Sequence, residues 1–231
     1  MIFLNLIQVI FSALWTVFIV YIISPFLNYK AAFWITIHVW TPVITFLILS
    51  KIETKGLENI DSNKHYIFMA NHSSYFDIVC LFNATKRNLH FIAKEELSRQ
   101  FFTGYMLRKL KIIFIDRSNA QNSARSMKQA IEVIKNGKNV AIFPEGTRTK
   151  TGNLGAFRRG GFKLAIQAQT EIIPVAISKS AKAWPRNNFS FRPTTVTLTF
   201  GKPISIQGYS ENDTKEIQDK VVNFIASNIT H

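Results

Sequence analysis

Between Met1 and Ser50 the chain carries a single formally charged side chain, Lys30. A segment this apolar does not lie open in water; it packs into a core or meets a membrane. Residues 2–24 read IFLNLIQVIFSALWTVFIVYIIS and residues 31–50 read AAFWITIHVWTPVITFLILS. Each run approaches the ~20 residues that a helix needs to cross ~30 Å of hydrocarbon. Pro25 and Asn28-Tyr29-Lys30 separate them. The reading is a membrane-anchoring helical pair over residues 1–50, either crossing twice or dipping in and returning. Asn5, Gln8, Thr36, His38 and Pro42 keep the second geometry open. Trp15, Tyr21, Tyr29, Trp34 and Trp40 suit the membrane interface. A cleaved signal is disfavoured, because the first run lacks a basic start, is too long and is followed at once by a second.

Residues 51–231 have a different composition, with 27 Lys and Arg against 14 Asp and Glu. Both ends of the helical pair emerge on one side, and Lys51, Lys55 and Lys64 follow closely. The positive-inside bias then predicts that the domain following the pair is cytoplasmic, on the inner membrane if the cell is bacterial. Beside an anchor, a basic surface fits anionic membrane lipid better than nucleic acid. The basic residues also lack a recognition-helix or aromatic-platform pattern, so a membrane-tethered nucleic-acid-binding protein is the weaker alternative. The lone Cys80 excludes an internal disulfide and a cysteine-rich metal site, and is expected to pack as a small apolar residue. No G-x-S-x-G stretch is present for a serine hydrolase acting on lipid.

After Lys51 short apolar runs alternate with helical stretches, the pattern of an α/β layer. Strands are predicted at 65–70, 89–93, 111–115, 138–143, 172–177 and 194–200. A helix is predicted from about Asn119 to Asn136, with Ala124, Met127, Ala130, Ile131 and Ile134 on its core face and Gly137 as its stop. A last helix starts near Asp213, with Asp213 and Glu216 as a capping box and a stripe of Ile217, Val221, Phe224, Ile225 and Ile229. One domain over residues 51–231 accounts for all of these elements.

Four stretches carry chemistry. In NHSSYFD (71–77), His72 and Asp77 stand five residues apart. On a regular helix they would point about 140° apart. They meet only if His72 precedes the helix and Asp77 lies in its first turn. Ser74 then reads as the N-cap with Asp77 as its capping-box partner, which is one role for the carboxylate. The other is to fix the imidazole tautomer and support the imidazolium. In FIDR (114–117), Arg117 ends a strand, where α/β folds place ligand contacts, although pairing with Asp116 is an alternative. In FPEGTRTK (143–150), a buried strand runs into Glu145, Gly146, Thr147, Arg148 and Lys150, and an arginine there suits a phosphate. In IIPVAI (172–177), Pro174 marks an edge strand or the lip of a pocket.

In this order, NH-x4-D, FIDR, FPEGTR and IPVAI, the chain resembles the glycerolipid acyltransferase family over about residues 51–205, with AKEEL (93–97) as a further family-like segment. The apolar N-terminal pair is similar to the membrane-embedded two-helix element of its members. Lys111 departs from the pattern, standing where members commonly have glycine. The resemblance implies an α/β, mixed-sheet acyltransferase domain behind an N-terminal membrane-embedded two-helix hairpin. It also implies transfer of a fatty acyl chain from a thioester to the sn-2 hydroxyl of a lysophospholipid, above all 1-acylglycerol-3-phosphate, in phospholipid biosynthesis. His72 would be the general base and Asp77 its partner. Arg117 would bind the acceptor phosphate, with Glu145, Gly146, Thr147 and Arg148 lining the same site and Lys94 an addition to it. Pro174 would shape the donor side. A thioester is already activated, so a base, an oxyanion stabiliser and positioning suffice. No metal or cofactor is required beyond the co-substrate, acyl-CoA or acyl carrier protein.

Overall fold

The computed structural model describes residues 2–149, 153–186 and 190–230. The strands are β1 (Lys51–Lys55), β2 (Ile67–Ala70), β3 (Leu89–Lys94), β4 (Ile113–Ile115), β5 (Asn139–Ile142), β6 (Ile172–Ser178) and β7 (Thr195–Phe200). The α-helices are α1 (Ile2–Val17), α2 (Tyr29–Ile35), α3 (Thr41–Leu47), α4 (Phe76–Thr85), α5 (Phe101–Lys109), α6 (Ala120–Lys135), α7 (Gly160–Ala168), α8 (Ser180–Ala183) and α9 (Thr214–Asn228). The strands form one mixed sheet in the order β1-β7-β6-β2-β5-β3-β4. Neighbours run parallel except for the antiparallel pair β6 and β7. The carboxyl ends of β2, β3, β4 and β5 therefore share one rim, where open α/β sheets place their ligands.

Alternation along the strands sends side chains to two cores. Phe68, Ala70, Ala141, Val175 and Leu198 face a core shared with α4. Ile67, Met69, Val140, Ile142 and Ala176 face a core closed by Ala130 and Ile134 of α6, Phe162 and Ala165 of α7, and Ile217, Val221 and Ile225 of α9. Cys80 is buried in the first core as expected, and burial pushes its thiol pKa up, with the nearby Asp77 adding to the shift.

Wider turns continue α1 and join α2 to α3, giving two rods, Phe3–Phe26 and Tyr29–Leu47. Each is long and apolar enough, by length and composition, to cross a membrane. The Asn28 side chain caps the second rod, its Oδ1 accepting from Ala31 N at 3.0 Å. Phe3, Leu6, Phe11 and Leu14 of α1 are exposed. The second rod contributes Phe33, Ile37 and Ile44, and Ile48 directly after it, to the same core as Phe68 and Val79. The boundary at residue 50 is a change of composition that packing crosses.

Several local expectations are corrected. β1 was not among the predicted strands, yet Lys51–Lys55 pairs in parallel with β7. It is an edge strand whose exposed, charged side chains give no burial pattern, as suits an edge that must not recruit further strands. Pro174 is not at an edge, since β6 lies between β7 and β2. Its carbonyl accepts from Gly201 N at 2.9 Å, so its missing N–H faces β7. There the register slips by one residue between Val175↔Phe200 and the Ile172↔Ile204 bridge, a bulge that needs no donor from residue 174. On α6 the buried face carries Ser126, whereas Ala124 is exposed. Ser126 Oγ accepts from Asp116 N at 3.1 Å, a polar link that an apolar stripe does not reveal. The capping box before α9 is Ser210 with Asp213. Glu216 instead accepts from Tyr209 Oη at 2.8 Å and pairs with Lys220.

Candidate active site

β2 ends at Ala70, and Asn71 continues its pairing with a side chain. Asn71 Nδ2 donates to Ile177 O at 2.9 Å, and Ile177 N donates to Asn71 Oδ1 at 2.8 Å. This pins the chain at the rim and turns His72 out of the sheet. Its Nδ1–H donates to Asp77 Oδ2 at 2.7 Å. The same oxygen accepts from Ser73 N at 2.8 Å and Ser74 N at 2.9 Å. The two roles considered for Asp77 are thus filled together: it closes the turn before α4 and fixes the imidazole. Ser74 Oγ accepts from Phe76 N at 3.0 Å, completing a variant of the expected cap. The His72 side chain is 14% exposed and that of Asp77 0%. The ring of Phe143 stacks on His72 with centroids 3.9 Å apart and planes at 11°. With Nδ1 committed and one ring face covered, Nε2 keeps the free lone pair.

Glu145 lies beneath this turn. It is 6% exposed, its Oε1 accepts from His72 N at 2.7 Å, and its Oε2 accepts from Gly155 N at 3.1 Å. The resemblance placed Glu145 in the lining of the acceptor site; in the structure each of its oxygens accepts from a backbone amide, one of them that of His72, which it helps to position. Thr149 N donates to His72 O at 2.8 Å, drawing the FPEGTR loop over the histidine. Burial raises the Glu145 pKa above the ordinary carboxylate value, against the lowering effect of the His72 and Gly155 amides. A carboxyl group raised on folding binds more protons in the native than in the unfolded state, so its contribution to stability falls as pH rises through that window. Glu145→Gln removes the titration but sets an amide N–H against one backbone donor, at a cost of about 1–3 kcal/mol. Denaturant unfolding at a series of pH values should therefore show wild type gaining on E145Q as pH falls. A difference independent of pH would contradict the reading.

The arginines separate into two places. Arg117 follows β4, and its neighbour Asp116 is not its partner: Asp116 Oδ1 accepts from Ser118 N at 2.8 Å and Oδ2 from Asn122 Nδ2 at 2.9 Å. A Cβ placed on Gly146, which has φ +72°, would lie 3.2 Å from Arg158 Nε and 3.5 Å from Arg117 Nη1. Glycine there suits both the left-handed backbone and the approach of two arginines. Arg148 sits elsewhere on the loop, its guanidinium carbon 3.6 Å from the Tyr75 ring centroid and its Nη1 donating to Arg186 O at 3.2 Å. Thr147 is exposed, and so is Lys94, which ends β3 in register with Ile115 of β4. Pro174 pairs with Met69 inside the sheet, below the rim that holds His72. Lys150 lies outside the described residues. At Lys111 the backbone adopts φ +48°, the left-handed conformation that glycine takes readily, while its Nζ lies 4.0 Å from the Tyr29 ring centroid.

Asn71, Phe143 and Arg158 were not assigned to the site from sequence. Asn71 and Phe143 flank β2 and β5 at the rim, a position that signals importance only once strand order is known.

A family model described as Acyltransferase matches residues 51–178. The 1-acyl-sn-glycerol-3-phosphate acyltransferase of Cocos nucifera is 31% identical over 75% of this chain and 56% of its own length. The enzyme of that name from Pseudomonas aeruginosa is 29% identical over 89% of this chain and 81% of its own. The crystal structure of the 1-acyl-sn-glycerophosphate acyltransferase of Thermotoga maritima superposes with a TM-score of 0.80 at 26% identity, covering 96% of this chain and 93% of that one. Its histidine and aspartate joined at the rim of a mixed sheet, and a family match across that whole region, place this chain in the acyltransferase family.

Proposed function

We propose that this acyltransferase moves a fatty acyl chain from a thioester to the sn-2 hydroxyl of 1-acylglycerol-3-phosphate, giving phosphatidic acid. The observation that carries the reading is the His72–Asp77 hydrogen bond beside arginines that have no carboxylate partner among the described residues. His72 Nε2 takes the hydroxyl proton as the oxygen attacks the thioester carbonyl. The C–O bond forms, the C–S bond breaks, and the departing thiolate takes the proton from the imidazolium, whose charge Asp77 stabilises. Both substrates are bound together, so no acyl-enzyme is needed. Names of the relatives support the acceptor class; they leave the thiol carrier open, and either acyl-CoA or acyl carrier protein serves this chemistry.

Arg117 is proposed to grip the acceptor phosphate, with Lys94 on the adjoining strand end and Arg148 further along the FPEGTR loop. Arg117→Ala should raise acceptor KM about 10–100-fold, the worth of one charge-assisted bond, while donor KM stays nearly unchanged. Initial-rate kinetics with each substrate varied in turn checks this. A loss confined to the donor side would reverse the two sites.

The anchor is proposed to lie in the cytoplasmic leaflet rather than to cross twice. One face of the second rod is spent on the domain core, so it cannot be surrounded by lipid, while α1 offers its exposed apolar side chains to the bilayer. Such a placement spares a long acyl chain the cost of about 0.8 kcal/mol per CH₂ on entering water. The reading is tested by assaying the purified chain with a panel of lysophospholipids against both donor types. Transfer to 1-acylglycerol-3-phosphate should exceed transfer to neutral lysolipids; preference for a neutral acceptor would overturn the assignment.

A further inference from the structure

Arg158 and Arg159 are adjacent in sequence and both exposed, a basic pair that by itself would suit an anionic lipid surface. The contacts of Arg158 give it a more specific place. Its backbone N donates to Pro144 O at 2.9 Å, fixing residue 158 against the strand-end loop that carries Glu145 and Gly146. Its side chain then runs across Gly146: a Cβ there would meet Arg158 Nε at 3.2 Å, Arg158 Cδ at 3.4 Å and Arg117 Nη1 at 3.5 Å. Two arginines from distant parts of the chain thus converge on one α-carbon in the loop that also folds over His72.

Like charges held side by side repel, so such a pair calls for an opposing charge. Among the described residues neither arginine forms an ion pair. Glu96 acts on Arg117 only at longer range, and the carboxylate of Glu145 is committed to two backbone amides. Partial burial, then the Arg158 charge, lowers the Arg117 pKa from its ordinary value, in keeping with a cation pair lacking local compensation. Arg148 lies apart from this pair, its guanidinium over the Tyr75 ring and its Nη1 donating to Arg186 O.

We propose that Arg158 is the second guanidinium of the acceptor site, and that Arg117 and Arg158 together select a phosphate monoester over a phosphodiester. The proposal rests on the acyl-acceptor reading above and narrows it. A phosphate monoester carries a charge between about −1.5 and −2 at neutral pH and three terminal oxygens, enough to engage two planar forks. A phosphodiester carries one charge, and its second ester arm takes the place of one of those oxygens. One of the two guanidiniums would then remain uncompensated. A lysophospholipid with a monoester headgroup and a free glycerol phosphate present the same chemistry to this pair, so the test uses both.

The experiment compares wild type, Arg158→Gln and Arg158→Lys in the full chain. Kinetics are run with 1-acylglycerol-3-phosphate and with 1-acylglycerophosphoglycerol, a diester. Equilibrium binding is measured with glycerol 3-phosphate and its methyl diester. Arg158→Gln should raise KM for the monoester acceptor about 10–100-fold and weaken glycerol 3-phosphate binding by a similar factor. The diester acceptor and ligand should change less than about threefold, since they use one fork fully. Arg158→Lys should fall between, keeping the charge but losing the bidentate geometry. A monoester KM within twofold of wild type overturns the proposal. So does an equal loss for monoester, diester and donor accompanied by a lower Tm, which would make Arg158 a brace for the loop. If wild type binds glycerol 3-phosphate and Arg158→Gln does not, yet no acyl transfer to the lysolipid occurs, the anion site stands and the acceptor reading falls.

Discussion

Alanine in place of His72 is expected to lower kcat by about 10²–10⁴-fold while leaving the fold intact. The side chain removed is an edge of the rim, and the groups around it keep partners. Asp77 Oδ2 retains the amides of Ser73 and Ser74, and Glu145 retains the backbone N–H of residue 72. What is lost is the one lone pair that the geometry leaves free to take a proton, at Nε2. Thermal denaturation and initial rates on the same preparations separate the two effects. A variant keeping more than about a tenth of wild-type kcat would remove His72 from the role of base. Asp77→Asn extends the test, because an amide oxygen can still accept from the two serine amides but no longer offsets an imidazolium. Its rate should fall more than its stability, and unchanged activity would leave Asp77 with the cap alone.

The second large effect is on stability. Phe33 is 0% exposed, its ring 5.1 Å from His90 and 6.3 Å from Phe82, so a residue of the second apolar rod is packed into the core beside the sheet. His90 itself is held on this contact by an Nδ1–H bond to Lys111 O at 3.0 Å, and burial lowers its pKa, favouring the neutral ring that an apolar neighbour requires. Phe33→Ala should destabilise the whole protein by about 3–5 kcal/mol, the cost of deleting a buried aromatic side chain and leaving its cavity. Denaturation in one detergent, followed by a probe in the sheet and a probe in the helical pair, checks both the size and the coupling. Two separate transitions, or a loss below about 1 kcal/mol, would make the helical pair an independent tether. For the same reason, removal of residues 1–50 should strip the sheet of part of its cover and impair activity even on short-chain, water-soluble acceptors.

How far the fold was legible follows from what each residue has to do. The strands that carry apolar runs were recognisable, since burial on both faces leaves a continuous hydrophobic stretch. Lys51–Lys55 was not, because an exposed edge strand pairs through its backbone and asks nothing of its side chains. Pro174 misled for a related reason. Its tolerance inside the sheet depends on a bulge contributed by the strand leaving β7, far away in sequence. In the site, His72 and Asp77 could be joined by geometry alone, because they are local and the turn that unites them is written in the intervening serines. Arg158 could not, since it reaches Gly146 only once Pro144 accepts its amide. The mixed roles of Glu145 and Ser126, each a polar group holding a rim segment by its backbone, likewise appear only in three dimensions.

The most direct measurement counts products. The full chain, wild type and His72→Ala, is incubated in detergent–lipid micelles with an acyl thioester and 1-acylglycerol-3-phosphate, and released thiol and phosphatidic acid are quantified together. The account predicts one phosphatidic acid for each thiol released by wild type, with both falling by about 10²–10⁴-fold in the variant. Thiol release without phosphatidic acid from every thioester tried, or product formation undiminished by His72→Ala, would contradict it.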